Sequence, residues 1–222
     1  MIEDKSNDSF IFPQWTGILR PAVAVGALGG LLYATVVVAF GFSPKATDVG
    51  YAPVQPVPYS HALHVGQLGM DCRYCHTGVE EAANALIPPS QTCMNCHKAV
   101  RANSEKLIPV FESYSTGMPV EWIRVHDLPD YVYFNHSAHV RRGVGCVSCH
   151  GRIDTMEVVS QQEPLSMGWC LECHRDPERH LRPAEFVFQL DWVPEEDQLA
   201  LGARIRETND INPPQDCNTC HR

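Results

Sequence analysis

The hydrophobic positions of this chain fall into two unlike regions. Residues 21–44 contain no charged side chain, and Arg20 and Lys45 bound this run of 24 positions. About 20 consecutive apolar residues are enough for a helix to cross the hydrocarbon part of a bilayer. The pattern therefore predicts a single transmembrane helix over residues 21–44.

A cleaved signal peptide is the alternative explanation of this run. The apolar region of such a peptide usually has about 7–15 residues and is followed by a cleavage site of small residues. The run here is longer, and no convincing cleavage site follows it. The sequence therefore favours an anchor that remains attached in the mature protein.

Beyond residue 44 the apolar positions occur only in short groups. Residues 45–58 are rich in proline and lack a helical period, which predicts an extended linker. Helical spacing is clearest over residues 95–106 and 195–206, and no long alternating stretch indicates a strand. We therefore expect the remaining region, residues 59–222, to be mostly irregular with short α-helices.

Composition narrows the possible functions. The formal net charge is −9, and no stripe of Lys or Arg indicates a nucleic-acid partner. The sequence has neither a glycine-rich phosphate loop nor a G-x-S-x-G nucleophile motif. We therefore expect no nucleic-acid binding, and no enzyme activity from this chain on its own.

The strongest motif is Cys-x-x-Cys-His, which occurs five times and uses all ten cysteines. This sequence attaches c-type haem: the thiols bond to the porphyrin and the histidine is the proximal iron ligand. We therefore expect five covalently bound haem c groups. The predicted attachment residues are Cys72, Cys75, Cys93, Cys96, Cys146, Cys149, Cys170, Cys173, Cys217 and Cys220. The predicted proximal ligands are His76, His97, His150, His174 and His221.

Zinc sites and disulfides are the competing explanations of the cysteines. Zinc ribbons combine two Cys-x-x-Cys pairs into one site with four ligands, and five pairs cannot be grouped in twos. A disulfide framework also uses an even number of cysteines, but it gives no reason for a histidine after every pair. Haem attachment explains the whole pattern.

The haem motifs form an internal repeat. A His-x-x-His pair precedes the first two motifs and another precedes the third and fourth; the pairs are His61/His64 and His136/His139. The first histidine of the pair stands 11 residues before the first cysteine in one copy and 10 in the other. The pattern predicts a duplicated two-haem module and a separate fifth haem, over residues 59–100, 132–180 and 217–221.

Six histidines remain outside the motifs, and five irons need five sixth ligands. The distal candidates are His61, His64, His136, His139, His126 and Met167, of which one is expected to be surplus. His180 follows in a charged segment, where a surface position is an equal expectation. A six-coordinate haem transfers electrons, whereas an open one binds small ligands. A full ligand supply therefore favours electron transfer over catalysis.

The duplicated His-x-x-His and Cys-x-x-Cys-His pattern resembles the cytochrome c3/c7 family of multihaem cytochromes. That resemblance implies that the first histidine of each pair closes the nearby haem and the second closes a neighbour. The chain after the anchor is too short for a conventional core around five haems. We therefore expect the haems themselves to form most of the core.

With its single anchor and fifth haem, the chain resembles the pentahaem cytochrome subunits of alternative complex III. The resemblance covers residues 15–222 and is most distinctive over residues 120–139 and 166–174. It implies a subunit that relays electrons within a quinol-oxidising respiratory complex toward a periplasmic cytochrome or a terminal oxidase. The implied partners are a polytopic quinol-binding subunit, an iron–sulfur subunit and a mono-haem cytochrome subunit.

Haem attachment also predicts the orientation of the chain. Haem is joined to c-type cytochromes outside the bacterial cytoplasmic membrane, so we expect a single-pass inner-membrane protein with its haem domain in the periplasm. Residues 1–20 would then lie in the cytoplasm. Two other functions stay open: a free-standing membrane-anchored multihaem quinol dehydrogenase, and a small multihaem reductase with one open haem.

Overall fold

A computed structural model describes residues 13, 15–42 and 48–221. The chain divides into two compact units, residues 1–47 and residues 48–222. Most of the predicted cytoplasmic segment and the first three residues of the predicted linker lie outside the described residues.

The first unit is built on one apolar helix. Helix α1 covers Thr16–Val36 and continues as a single π-helical turn over Val37–Gly41. Together these 26 residues are long and apolar enough to cross a membrane, and the protein buries none of their side chains. The helix begins five residues before the predicted boundary at Pro21. Pro21 lies within its first two turns, where it removes one backbone donor without ending the helix.

The described part of the second unit contains short helices and no β-strand. Its α-helices are α2 (Cys72–Cys75), α3 (Ser90–His97), α4 (Ile108–Thr116), α5 (His136–Arg141), α6 (Val147–His150), α7 (Met167–Arg175), α8 (Gln198–Thr208) and α9 (Cys217–Cys220). A π turn covers Ala62–Gln67, and 3-10 turns cover Glu105–Leu107, Ile153–Thr155, Pro177–Arg179 and Ala184–Phe186. These elements confirm the predicted fold class of short helices in an otherwise irregular chain.

Two longer helices were predicted, and one of them is wrong. Helix α8 confirms the prediction over residues 195–206, and the Asp197 carboxylate caps it by accepting a bond from the Ala200 amide. The predicted helix over residues 95–106 instead ends at His97. Turns follow, and Arg101 has a φ of 56°, a left-handed conformation that cannot continue an α-helix.

The buried apolar core of the second unit is small. Its buried hydrophobic side chains are Val57, Val79, Val110, Leu181, Val187, Leu190, Leu201 and Ile211. Four of these lie between residues 181 and 201, where α8 packs against the Pro177–Arg179 turn. Little of the chain around the haem motifs is packed against apolar protein. A core formed by the haems remains a prediction.

Candidate haem-binding site

The first His-x-x-His pair is positioned by the π turn Ala62–Gln67. The Ser60 hydroxyl accepts a hydrogen bond from the Leu63 amide at the start of this turn. One helical turn separates His61 from His64, so both rings project from the same side of the segment. The His64 Nδ1 donates to the Ser60 carbonyl at 2.8 Å, which fixes the orientation of that ring.

Each histidine of this first pair faces a proximal histidine of a haem motif. The ring centroids of His61 and His76 are 6.5 Å apart, and the ring planes are nearly parallel at 2°. The centroids of His64 and His97 are 6.2 Å apart, with the planes at 60°. The pair therefore serves the first and second motifs separately.

The second module repeats this arrangement on helix α5. The centroids of His136 and His150 are 6.4 Å apart with planes at 11°. Those of His139 and His174 are 6.1 Å apart with planes at 42°. The four pairs thus agree within 0.4 Å in their centroid separations.

These separations fit one iron atom between each pair of rings. The bond from a metal to an imidazole nitrogen is about 2 Å long. Adding the distance from that nitrogen to the centre of its ring, on both sides of the metal, places the two ring centroids roughly 6.3 Å apart. The cysteines of each motif lie beside one ring of a pair, as covalent attachment of the same haem requires. The donor set and its spacing therefore fit haem with two axial histidines at four positions.

Hydrogen bonds to backbone carbonyls select the nitrogen available to the metal. In six of the eight paired rings, Nδ1 donates to a carbonyl oxygen, which leaves the Nε2 lone pair free for a metal. The bonds run from His64 to Ser60, His76 to Leu86, His97 to Val100, His136 to Ala83, His139 to Asn135 and His174 to Pro214. The Nδ1 atoms of His61 and His150 are buried without a partner.

Burial favours the neutral, metal-binding form of His61, His139 and His150. Burial, followed by the neighbouring His76 and His64, lowers the pKa of His61 to about 4. Burial, followed by nearby histidines, lowers the pKa of His150 to about 3 and also lowers that of His139. Desolvation disfavours the charged imidazolium, so the lone pair needed for a metal is retained at neutral pH.

An aromatic ring lies between the two distal histidines of each module. Tyr59 stacks on His64 at 4.4 Å and meets His61 edge-on at 4.8 Å. Phe134 stacks on His139 at 4.4 Å and meets His136 edge-on at 4.8 Å. Each of these aromatic residues stands two positions before the first histidine of its pair, a spacing that does not by itself indicate contact with the distal rings.

The loop over residues 78–86 lies within the first module and contacts one histidine of each module. Its Leu86 carbonyl accepts from His76, and its Ala83 carbonyl accepts from both the ring and the backbone amide of His136. Leu86 has a φ of 67°, a left-handed conformation that costs a non-glycine residue energy and here directs the carbonyl toward His76. No sequence motif marks this loop, because backbone atoms provide both contacts.

The cysteines do not form the competing kinds of site. All ten thiols are free of disulfides. Among the described residues, no group of three or more His, Cys, Asp or Glu side chains converges as a metal ion would require. The Cys-x-x-Cys pairs therefore do not combine into a four-ligand zinc site in this part of the chain.

Neighbouring thiols give the spatial order of the five motifs. Burial raises the pKa of Cys75, Cys146, Cys149 and Cys170, and a thiol of another motif raises each of them further. The neighbours across motifs are Cys75 with Cys93, Cys146 with Cys72, Cys149 with Cys173, and Cys170 with Cys220. These neighbours link the motifs in the order second, first, third, fourth and fifth.

The fifth motif is held against the start of the second module. The Tyr133 amide donates to the Cys220 carbonyl at 2.9 Å, and Val132 forms an antiparallel bridge with His221. The His221 Nδ1 lies 3.3 Å from the Tyr131 carbonyl. Within the described residues, the ring that pairs with His221 is Tyr131, at 5.8 Å, and not a histidine.

The structure places the three other ligand candidates differently. His126 lies beside the proximal His150, with centroids 4.4 Å apart at 76°, rather than opposite a proximal ring. His180 is half-buried, and burial lowers its pKa although the nearby Glu163 carboxylate acts in the opposite direction. Met167 is 66% exposed and begins helix α7, one turn before Cys170.

The site geometry fits a multihaem cytochrome c, and comparison with known proteins points to the same class. Residues 132–222, which hold the second module and the fifth motif, match the family of cytochrome c7 and related cytochrome c. This part of the chain is therefore similar to the multihaem cytochromes of that family.

A curated relative gives a more particular similarity. Over 97 residues the chain is 36% identical to the menaquinone reductase, multiheme cytochrome c subunit, of Nitratidesulfovibrio vulgaris Hildenborough. The alignment covers 43% of this chain and 45% of the relative, so the chain matches less than half of that protein. These similarities support the expected c7-like multihaem class. The more specific assignment to alternative complex III stays a prediction.

Proposed function

We propose that this chain is a membrane-anchored pentahaem cytochrome c that relays electrons within a quinol-oxidising membrane complex. The observation that carries the proposal is the set of four histidine pairs with centroids 6.1–6.5 Å apart. Each pair joins the histidine of one haem motif to one histidine of a His-x-x-His pair. Two axial histidines close an iron to exogenous ligands, which suits electron transfer.

The proposed ligand of the fifth iron, opposite His221, is Met167. Met167 stands one helical turn before Cys170, and the Cys170 thiol neighbours Cys220 of the fifth motif. Its exposed side chain is free to turn toward a neighbouring haem. Histidine–methionine ligation raises the reduction potential of a haem. The fifth haem would then be the point at which electrons leave the chain.

The haems supply the redox chemistry when bound, and the protein holds them in sequence. The neighbouring thiols support a linear order, in which each haem except the two at the ends would have one neighbour on either side. The His-x-x-His pairs support close spacing within a module, because their two ligands are only three residues apart. Electrons entering from a partner at one end would cross all five haems without substrate chemistry on this chain.

The proposed location is the bacterial inner membrane, with the haem unit in the periplasm. The unburied apolar helix Thr16–Gly41 supports a single membrane span. The relative named as a subunit of a menaquinone reductase supports a complex with other subunits. We propose that those partners are polytopic quinol-binding, iron–sulfur and mono-haem cytochrome subunits, as in alternative complex III. The acceptor would be a periplasmic cytochrome or a terminal oxidase.

Two measurements on the purified full chain test this function. Pyridine haemochrome titration against protein mass should give five haems per chain, and zinc in place of iron would contradict the proposal. Carbon monoxide difference spectroscopy of the reduced protein should show no stoichiometric binding. One equivalent of bound carbon monoxide would instead favour the multihaem reductase, with the open iron at His221.

Gentle purification from the native membrane separates the remaining alternatives. The proposal expects co-purification with large membrane subunits and electron transfer from menaquinol only in their presence. A chain that purifies alone and oxidises a menaquinol analogue would be a free-standing quinol dehydrogenase. N-terminal sequencing of the same sample checks the anchor, because a start near residue 45 would identify a cleaved signal peptide.

A further inference from the structure

One proximal histidine lacks the hydrogen bond that the other four have. The Nδ1 atoms of His76, His97, His174 and His221 each lie 2.6–3.3 Å from a backbone carbonyl oxygen. The His150 Nδ1 is buried and has no such partner. A buried N–H group without an acceptor is destabilising, so this position requires an explanation.

The nearest ring beside His150, away from its distal partner His136, is that of His126. The two centroids are 4.4 Å apart and the planes meet edge to face at 76°. The Nε2 of His126 is likewise buried without a hydrogen-bond partner. A neutral imidazole has one donor nitrogen and one acceptor nitrogen. His150 Nδ1 is therefore a donor without an acceptor, and His126 Nε2 on the adjacent ring can be an acceptor without a donor.

His126 does not have the surroundings of an iron ligand. A nitrogen that binds haem iron needs open space beside it for the porphyrin, whereas protein atoms cover the His126 Nε2. Each of the four paired distal rings lies 6.1–6.5 Å from its proximal ring, but His126 is too close to His150 to admit a metal between them. The ring is therefore placed to contact a ligand rather than to act as one.

No hydrogen bond joins the two rings as they stand in this structure. We propose that His126 is a positioning residue that, after a rotation of the two adjacent rings, accepts a hydrogen bond from His150 Nδ1 at its own Nε2. The proposal rests on the proposed role of His150 as the proximal ligand of the third haem. The bond would hold the His150 ring in the orientation and tautomer that present Nε2 to the iron. It would also make that imidazole a stronger electron donor and lower the potential of the third haem, which is central in the spatial order of the motifs.

The test compares His126→Phe and His126→Gln with the wild-type holoprotein, using spectroelectrochemical titration and electron paramagnetic resonance. His126→Phe keeps a planar ring but removes the acceptor, whereas His126→Gln supplies an amide oxygen. We expect all five haems and the low-spin signals to be retained in both. In His126→Phe the midpoint potential of one haem should shift upward, and His126→Gln should return it toward the wild-type value. Tyr114→Phe is the control, because Tyr114 is 50% exposed and lies outside the haem motifs, and it should leave all five potentials unchanged.

Other outcomes have distinct meanings. Five unchanged potentials in His126→Phe would overturn the proposal, as would equal shifts in the Phe and Gln variants. A new high-spin haem that binds carbon monoxide would show that His126 is an iron ligand, which also overturns it. If His126→Phe does not assemble, His126→Gln and His126→Leu provide the same comparison. A wild-type protein with fewer than five haems would instead contradict the proposed function itself.

Discussion

The two haem modules have the same ligand geometry but obtain their supporting contacts from different places. In the first module, the carbonyl partners of His64, His76 and His97 lie 4, 10 and 3 residues away in the chain. In the second module, the partners of His136 and His174 lie 53 and 40 residues away. The first module therefore supplies the carbonyl partners of its own histidines. The second module supplies the partner of His139 but takes those of His136 and His174 from the loop over residues 78–86 and from the segment around Pro214.

The repeated sequence thus determines the ligand rings and the aromatic ring beside them, but not the carbonyl partners of the ligands. The aromatic contacts are nearly identical, with Tyr59 stacked at 22° and Phe134 at 28°. The angle between axial ring planes follows the same alternation, small for the first histidine of a pair and large for the second. Contacts to backbone carbonyls then make the two copies unequal.

Loss of the fifth haem should produce the largest difference in effect between the two modules. In the double variant Cys217→Ser/Cys220→Ser, the fifth haem cannot attach, and its ordering effect on the segment around Pro214 is lost. We expect four haems, with altered spectra and potential for the fourth haem and unchanged signals from the first module. Haem content and redox titration measure both. A change in the first and second haems of similar size would mean that the modules are not supported separately.

Removal of the second distal histidine tests whether the ligand geometry is equivalent. His64→Ala and His139→Ala should each leave one iron with an open position. We expect one high-spin haem and one equivalent of bound carbon monoxide in each variant, measured by difference spectroscopy. Ser137→Ala, on the same helix as His139 but with no group that can bind iron, serves as the control and should bind none. Failure of either histidine variant to bind carbon monoxide would contradict the assigned pair.

The fifth iron provides a contrast with both modules. If Met167 is its ligand, Met167→Ala should lower the potential of one haem, the highest in the wild type, or open it to carbon monoxide. Met118→Ala is a suitable control, because Met118 is 67% exposed and lies outside the motifs. Redox titration checks this. An unchanged highest potential would remove Met167 from the ligand set.

The smallest expected effect concerns the aromatic ring between the distal histidines. Tyr59→Phe makes the first module resemble the second and should leave ligand geometry unchanged. Phe134→Leu removes the stacking on His139 and should reduce the free energy of unfolding by about 1 kcal/mol. It should also change the low-spin resonance of the fourth haem, because this resonance depends on the angle between the axial rings. Equal effects of both substitutions would indicate a general packing change.

The ligand set proposed here comes from the sequence, because cysteine thiols and imidazoles carry the chemistry at regular spacing. The histidine pairs and the duplicated modules followed from that spacing, and the structure shows which proximal ring each distal ring faces. The supporting carbonyls of Ala83 and Leu86 could not be predicted, since every residue has a carbonyl. The helix predicted over residues 95–106 was wrong for a different reason. Arg101 adopts a left-handed backbone conformation that its residue type does not indicate.

The long-range bonds of the second module have a consequence for biogenesis. The ribosome delivers the chain from its N-terminus, so all three carbonyls that support the first module are synthesised by residue 100. The carbonyl that holds His174 belongs to Pro214 and is synthesised 40 residues after that ligand. Export and haem ligation should therefore mature the first module while the second is still incomplete. Pulse-labelled intermediates arrested during translation should carry two stable haems before they carry four.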